Sequence, residues 1–270
     1  MTARICCGTS TDVSGSTWDP MQYLRFGGER LRPALDLLAQ VGIGHPRFVV
    51  DLGCGVGNVT TILKQRFPAA EVLGIDGSPP MLQKARAAAP NCTFLEADIG
   101  FWQPDRPPDL IFSNAALHWL PNHGMLFPRL ISLLAPGGVL AVQMPAMHDA
   151  PFRRLQSLVA SEGPWAEALR GVGSAPDILS TTAYWDLLRP HVDRLDMWET
   201  TYFHALQGND AVLEWASGSS LRPFLDALSA DLCDTFRQAY AEAIRPHYPQ
   251  RLDGSTLLPF RRLFMIAMRD

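Results

Sequence analysis

Short runs of apolar residues alternate with helical patterns along the first half of the chain. The first run covers residues 48–52 and is followed by an apolar stripe at helical spacing that ends at Pro68. Further apolar runs cover residues 70–76, 93–98, 109–114 and 139–144. Because strands and helices alternate in this way, the pattern predicts an α/β fold with a doubly wound and mostly parallel sheet.

The pattern changes after residue 145. Helical patterns cover about residues 146–190 and 205–259, and strand patterns cover about residues 194–204 and 262–268. We expect these two strands to close the sheet. We expect the helices, together with a helix within about residues 18–40, to form a cap or lid over its carboxyl edge.

The predicted organisation is one domain over residues 18–270, with its core at residues 45–145. Residues 1–17 are rich in Thr, Ser and Gly and lack hydrophobic periodicity. Such a composition cannot bury enough apolar surface to fold, so it predicts a disordered tail.

The composition is typical of a globular protein and excludes several functional classes. The 270 residues are 47% hydrophobic and 19% charged, with a net charge of -4. This balance argues against nucleic-acid binding, which usually needs a basic face, and no apolar run is long enough for a membrane helix. Five cysteines without metal-like spacing favour a reducing, cytoplasmic location. We expect no metal site, and a monomer or weak dimer.

A glycine-rich turn follows the first strand. The segment Asp-Leu-Gly-Cys-Gly-Val-Gly-Asn at residues 51–58 places glycines at every second position, where the backbone can turn tightly and approach a ligand. Dinucleotides and S-adenosylmethionine both bind to such turns. The dinucleotide pattern needs a glycine where Asn58 stands, and no phosphate-loop lysine follows. A tight turn without any ligand is the remaining alternative.

Acidic residues follow the next two strands. Asp76 ends the second strand, where its carboxylate can accept hydrogen bonds from the hydroxyls of a ribose. Asp76 could also be a helix N-cap or a turn aspartate, because Gly77 and Ser78 lead into a proline, and the two kinds of role are compatible. Asp98 ends the third strand and can accept from an adenine amino group, with Ile99 beside the ring.

Several motifs together resemble those of class I S-adenosylmethionine-dependent methyltransferases. They are the glycine turn, Gly-Ile-Asp-Gly-Ser at 74–78, Ala-Asp at 97–98, Phe-Ser-Asn-Ala-Ala-Leu-His-Trp at 112–119 and Leu-Ala-Pro-Gly-Gly at 134–138. Within this class the chain is similar to the trans-aconitate methyltransferases. Trp-Asp-Pro at 18–20, Leu-Pro at 120–121, Gln-Met-Pro at 143–145, Leu-Arg-Pro-Phe at 221–224 and Phe-Arg-Arg-Leu-Phe at 260–264 carry that similarity.

The resemblance implies a Rossmann-like fold and an enzyme that esterifies a carboxylate of a small polycarboxylic acid, with S-adenosylmethionine as the methyl donor. The residues expected at the cofactor site are Arg32, Asp51, Gly53, Gly55, Gly57, Asn58, Asp76, Gly77, Ser78, Met81, Asp98, Ile99, Asn114, Ala115 and Trp119. Asn114 and Ala115 belong to this set because ligands of open α/β sheets bind beyond the carboxyl ends of the strands.

An anionic acceptor needs cationic side chains. The residues expected to bind it are Tyr23, Arg30, His118, Arg222, Arg261 and Arg262. Arg261 and Arg262 are neighbours at a strand start and face opposite ways, so only one is expected to point inward. Each arginine could instead form a surface salt bridge. Tyr23 could equally accompany Arg32 near the cofactor's carboxylate or sulfonium.

A carboxylate acceptor is ionised at pH 7, so no general base is required. Tyr23, His118 and Trp119 are expected to position the reactants. His118 could alternatively accept a proton, and Trp119 could be a plain core residue. Two other functions stay open: methylation of a larger acid in a wide apolar cavity, or cofactor binding without methyl transfer.

Overall fold

The computed structural model describes residues 31–173 and 178–270. The expected tail at residues 1–17, most of the expected first cap helix, Tyr23 and Arg30 lie outside these ranges. The described helices are α1 (Arg32–Gln40), α2 (Asn58–Arg66), α3 (Pro79–Ala88), α4 (His123–Leu133), α5 (Pro151–Ser161), α6 (Thr181–Leu188), α7 (Ala211–Ser217), α8 (Arg222–Asp226) and α9 (Ala230–Ile244).

The strands are β1 (Phe48–Leu52), β2 (Glu71–Asp76), β3 (Thr93–Glu96), β4 (Leu110–Asn114), β5 (Val139–Pro145), β6 (Arg194–Gln207) and β7 (Ser255–Met268). They form one sheet in the order β3-β2-β1-β4-β5-β7-β6. Strands β1 to β5 are parallel, whereas β7 runs antiparallel to both β5 and β6. The predicted doubly wound, mostly parallel α/β sheet is therefore confirmed.

Helices cover both faces of the sheet, which explains the continuous apolar runs. All five residues of β1 are buried, as parallel strands with two covered faces require. One core contains Phe127 of α4 and Tyr184 of α6, and the other contains Leu35 of α1 and Leu63 of α2. The glycine turn lies at the carboxyl edge between these two layers.

A third apolar core holds the cap together. It joins Phe152 of α5, Val212 of α7 and Phe236 of α9 to Leu258 and Phe260 of β7. Because β6 and β7 stay paired from Arg194↔Met268 to Gln207↔Ser255, this antiparallel strand pair runs without interruption from the sheet into the cap. The cap is thereby attached to the edge where β5 ends.

Strand β7 begins at Ser255, earlier than the pattern predicts. The unexpected part includes Pro259, which lacks a backbone N–H and is rarely found inside a sheet. Strand β5 pairs with β7 only at residues 262–268, so Pro259 has a strand neighbour on one side alone. A proline is tolerated at such an edge position.

No helix in the two described stretches is both long enough and apolar enough to span a bilayer.

Candidate active site

The glycine turn between β1 and α2 requires glycine for steric reasons. Gly53 and Gly57 have φ angles of +83° and +81°, in the left-handed region that side chains rarely adopt. A Cβ on Gly53 would lie 2.2 Å from the Cβ of Ala116. At Gly55 (φ +54°) no described atom beyond its chain neighbours lies within 4 Å of where a Cβ would stand, so this part of the turn is open to a ligand.

The carboxylate of Asp76 holds the turn from the end of β2. Its Oδ2 accepts a hydrogen bond from the backbone N–H of Gly55 (2.8 Å), and its Oδ1 accepts one from the backbone N–H of Ser78 (2.9 Å). Asp76 therefore forms a turn ahead of α3, whose N-cap is Ser78 and has no side-chain cap hydrogen bond. A carboxylate offers about four acceptor positions, so both oxygens retain capacity, and the ribose contact stays a prediction.

Asp51 supports the turn from inside the protein. Its side chain is buried, and its Oδ2 accepts a hydrogen bond from the Thr60 hydroxyl at 2.6 Å. Burial raises the pKa of Asp51 to about 7, with a smaller contribution from the charge of Asp76, although the Thr60 hydrogen bond opposes the rise. The structure therefore places this carboxylate between β1 and α2, where it contacts the Thr60 side chain.

Asp98 and Ile99 lie in a loop, because β3 ends at Glu96 rather than at Asp98. The Oδ1 of Asp98 accepts from the backbone N–H of Gly100 at 2.8 Å. Ile99 is near the turn, since its Cδ1 would be 3.6 Å from a Cβ on Gly53. The predicted adenine-binding pair is therefore brought to the same edge as the glycine turn.

Arg129 of α4 braces this loop and was not singled out by the sequence. Its guanidinium donates to the backbone carbonyls of Trp102 (2.7 Å) and Gly100 (2.7 Å), with a longer contact to that of Ile99 (3.4 Å). A lone arginine in an amphipathic helix carries no sequence signal for such a role. Its contacts depend on how α4 packs beside the loop.

The chain bends sharply at the end of β4. Ala115 has a φ of +53°, which is strained for a residue with a Cβ, and its N–H donates to the carbonyl of Gln143 at 2.9 Å. The preceding Asn114 has a buried Oδ1 without a hydrogen-bond partner in the described part of the chain. A buried acceptor left unpaired in this way indicates a place where a ligand can bind.

His118 and Trp119 follow in a short 3-10 turn, with ring centroids 4.9 Å apart. Burial lowers the pKa of His118 to about 3, and the charges of Arg262, Arg153 and His123 lower it further. Such an imidazole is neutral at pH 7 and too weak a base to accept a proton there. Trp119 is 52% exposed, so it is not the core residue considered as an alternative.

A cavity of about 120 Å³ opens beside this turn. It lies between the carboxyl edge of the sheet and the cap, and its lining includes His118, Trp119, His148, Arg153, Trp215 and Phe260. Arg153 of α5 was not predicted from the sequence. It enters the lining because α5 packs in the cap core, a placement that no local pattern reveals.

Arg261 and Arg262 face opposite ways, as expected from their adjacent positions in β7. Arg261 is neutralised, with one nitrogen 2.7 Å from Asp149 Oδ1 and another 3.7 Å from Glu199 Oε2. Arg262 is only 8% exposed and has no acidic partner among the described residues. Burial lowers its pKa to about 10, so it remains a cation at pH 7.

The other predicted cations are less buried. Arg222 lies on α8 with its side chain 72% exposed and 3.4 Å from Asp226, and it does not line the cavity. Arg32 is 3.8 Å from Asp36 and lies over the Tyr202 ring. It belongs to the first turn of α1, on the sheet face that carries Arg262. Tyr23 and Arg30 lie outside the described residues.

The remaining predicted cofactor contacts line the surface beside the turn. Asn58 is the exposed first residue of α2, Gly77 is exposed, and Met81 in the first turn of α3 is 44% exposed. An exposed methionine at this edge is suited to cover an apolar ring. These assignments stay predictions, although the structure brings all three to the carboxyl edge.

Cys54 does not meet the requirements of a nucleophile, and the described acidic and histidine side chains do not meet those of a metal site. Cys54 is buried, and burial raises the pKa of its thiol, with the charges of Asp51 and Asp76 adding to the effect. It is therefore a packing residue rather than a nucleophile. Within residues 31–173 and 178–270, no group of three or more His, Cys, Asp or Glu side chains is placed to hold a metal ion.

Known proteins share both sequence and fold with this chain. A family model described as a methyltransferase domain matches residues 49–138. The chain is 48% identical over 251 residues to the trans-aconitate 2-methyltransferase of Yersinia pestis (strain Pestoides F), covering 93% of this chain and 97% of that protein. It is 48% identical over 255 residues to the one of Methylobacterium radiotolerans, covering 93% and 98%.

A solved structure also resembles this one. The S-adenosylmethionine dependent methyltransferase from Mesorhizobium loti has a TM-score of 0.51 at 24% identity, covering 89% of this chain and 98% of that one. At this identity the likeness concerns the fold alone.

Proposed function

This chain belongs to the trans-aconitate 2-methyltransferase family of S-adenosylmethionine-dependent methyltransferases, and on that premise we propose that it esterifies one carboxylate of a small polycarboxylic acid such as trans-aconitate. The observation that carries the acceptor assignment is the buried cation Arg262, which has no acidic partner in the described part of the chain.

The carboxyl edge fits an adenosyl group. The turn is open at Gly55, the oxygens of Asp76 retain acceptor capacity, and Asn114 Oδ1 is buried without a partner. Asp76 and Asp98 would hold the ribose and the adenine, with Met81 and Ile99 against the ring. When bound, S-adenosylmethionine supplies a methyl group on a positively charged sulfur.

Methyl transfer to a carboxylate requires the protein mainly to position the two reactants. The acceptor oxygen is already anionic at pH 7, and His118 is neutral there because its pKa is about 3. No proton has to move. Holding the two reactants in line can supply as much as ~7–11 kcal/mol of barrier reduction. His118 and Trp119, between the cavity and the glycine turn, are the positioning residues.

Arg262 supplies the charge that a carboxylate needs. Its Cζ lies 4.6 Å from the ring centroid of Phe260, and Phe260 lines the cavity. Arg153 also lines the cavity, and its charge as well as that of Arg262 acts on His118. The positive charges of these two arginines around a neutral imidazole favour an anionic acceptor.

The size of the cavity favours a small acid. Its volume of about 120 Å³ is below the ~300–1,000 Å³ typical of pockets for drug-sized ligands. The alternative of a larger natural-product or carrier-bound acid predicts a wide apolar cavity with a single arginine. Arg153 is the one arginine among the described lining residues, so it is the small volume that favours the small acid.

The test compares Arg262→Met with Arg222→Met. We expect Arg262→Met to lower kcat/KM for trans-aconitate about 100-fold, mainly through KM, because it removes a charge-assisted contact. Arg222→Met, at an exposed salt bridge, should change it less than about threefold. Both variants should bind S-adenosylhomocysteine like the wild type in calorimetry.

The outcomes test the role of Arg262 and the identity of the acceptor separately. Equal losses in the two variants would remove Arg262 from the acceptor site. Binding of S-adenosylhomocysteine by the wild type without methylation of trans-aconitate would move the acceptor to larger acids or to a protein that binds the cofactor without transfer.

A further inference from the structure

Arg262 is held by a neutral partner. Its Nη1 donates to Oε1 of Gln143 at 3.2 Å, while its Nε is buried and has no hydrogen-bond acceptor in the described residues. The guanidinium lies over the ring of Phe260. A buried cation is usually compensated by an acid, and the contrast with Arg261, which has two acids within 4 Å, is direct.

The strand register explains how the two side chains meet. Gln143 on β5 pairs with Phe264 of β7, and Arg262 precedes Phe264 by two residues, so both side chains lie on the same face of the sheet. Asn114 of β4 pairs with Gln143 on the other side. Three neighbouring strands thereby place two amides and a guanidinium in a row, beside the carboxyl ends of β4 and β5.

This row offers unused hydrogen-bonding groups. Gln143 is 0% exposed, and its Nε2 has no acceptor among the described residues, like the Nε of Arg262. Because Oε1 accepts from the arginine, the two N–H groups of the amide must be the unpaired ones. Buried donors without partners are unfavourable unless a ligand supplies the acceptor.

We propose that Gln143 sets the charge preference of the acceptor site: its neutral amide orients the guanidinium of Arg262 and leaves the positive charge for a carboxylate of the acceptor. The inference rests on the proposed function, since it assigns a role at that same site. A glutamate at position 143 would have nearly the same shape but would neutralise Arg262 from within.

The experiment compares Gln143→Glu with the uncharged control Gln143→Met. Trans-aconitate is titrated calorimetrically into each variant in the presence of S-adenosylhomocysteine. We expect Gln143→Glu to bind trans-aconitate at least about tenfold more weakly than Gln143→Met, because only the glutamate competes for the charge. Both variants should bind S-adenosylhomocysteine within about threefold of the wild type.

Thermal unfolding provides a second readout that needs no acceptor. The midpoint of Gln143→Glu should exceed that of Gln143→Met by at least about 3 °C, because methionine removes the hydrogen-bond acceptor that Gln143 offers to the buried guanidinium. A purely structural role for Gln143 would instead weaken acceptor binding equally in both variants, and that result would overturn the proposal.

The two readouts separate the failure of this inference from the failure of the proposed function. If the wild type binds S-adenosylhomocysteine but not trans-aconitate, the proposed acceptor is wrong, and the midpoints still decide whether Gln143 governs the charge of Arg262. Equal midpoints for the two variants would overturn the inference whatever acceptor is used.

Discussion

Gly53 and Gly55 share the left-handed backbone region but meet different surroundings. Gly53 faces Ala116, where a Cβ would lie 2.2 Å from another Cβ, whereas a Cβ on Gly55 would have no described atom beyond its chain neighbours within 4 Å. A side chain at position 53 would therefore clash with the protein itself, whereas a side chain at position 55 would occupy the space proposed for the cofactor.

This difference predicts distinct effects of substitution. Gly53→Ala should lower the free energy of unfolding by about 2–5 kcal/mol, from backbone strain plus overpacking. Gly55→Leu should cost only about 1–2 kcal/mol and yet abolish binding of S-adenosylhomocysteine. Gly44→Ala, at an open position without a positive φ, is the matched control. Normal cofactor binding by Gly55→Leu would contradict the assignment of the turn.

Asp51 gives the protein a pH-dependent stability. Its pKa is about 7 in the folded state and 3.8 in the unfolded state, so the folded state binds more protons between these values. The free energy of unfolding should therefore fall as the pH rises from about 4 to 7.

Asp51→Asn removes this titration. The variant should gain stability relative to the wild type between pH 5 and pH 8. The difference in the free energy of unfolding, variant minus wild type, should increase by about 2–4 kcal/mol over this range, and the difference in thermal midpoint should increase with it. Unfolding scans of both proteins at the two pH values measure it. The same difference in the free energy of unfolding at both pH values would contradict a folded-state pKa of about 7 for Asp51.

At the scale of elements, α4 controls the loop after β3. Arg129 donates to the carbonyls of Gly100 and Trp102, which directly follow Asp98 and Ile99 in this loop. The loop has no strand partner of its own beyond Glu96. Its geometry therefore depends on a helix that follows it by more than twenty residues.

Removing the hydrogen bonds of Arg129 to this loop should weaken cofactor binding without unfolding the protein. We expect Arg129→Met to weaken S-adenosylhomocysteine binding about tenfold, because hydrogen bonds from a charged donor are each worth about 1.5–3 kcal/mol. Arg86→Met is the control, since Arg86 makes one exposed contact of 3.4 Å to Phe94. Affinities that fall equally in both variants would show that Arg129 has no specific role.

At the scale of the whole molecule, two apolar cores enclose the sheet and a third holds the cap. The antiparallel pair β6–β7 contributes Trp198 and Phe264, stacked at 4.9 Å, to one sheet face and Phe260 to the cap core. Because the same two strands belong to both parts, the cap keeps a defined position over the carboxyl edge.

A ligand that binds only the folded protein should raise the midpoint of the whole molecule. S-adenosylhomocysteine at 100 times its Kd contributes about 2.7 kcal/mol, which corresponds to a rise of about 5–11 °C. NAD should cause no shift, since Asn58 stands where the dinucleotide turn needs glycine. A shift with NAD and none with S-adenosylhomocysteine would assign the turn to the other ligand class.

The sequence by itself determined the parts of this protein that depend on local pattern. Periodicity predicted the strands and helices, and the glycines and the acids after the second and third strands indicated the cofactor edge, because parallel strands bring their carboxyl ends to one edge. Motifs such as Phe-Ser-Asn-Ala-Ala-Leu-His-Trp at 112–119 carried the family. It also predicted that only one of Arg261 and Arg262 points inward.

Only the tertiary structure decided which charges are free. Among the described residues Arg262 has no acidic partner, and its hydrogen-bond partner Gln143 is 119 residues away in sequence. Arg222 lies outside the cavity, at an exposed position on α8. The low pKa of His118 comes from burial and from cations on α5 and β7. Electrostatic roles depend on the solvent exposure and distances of side chains, which the fold sets and no local pattern encodes.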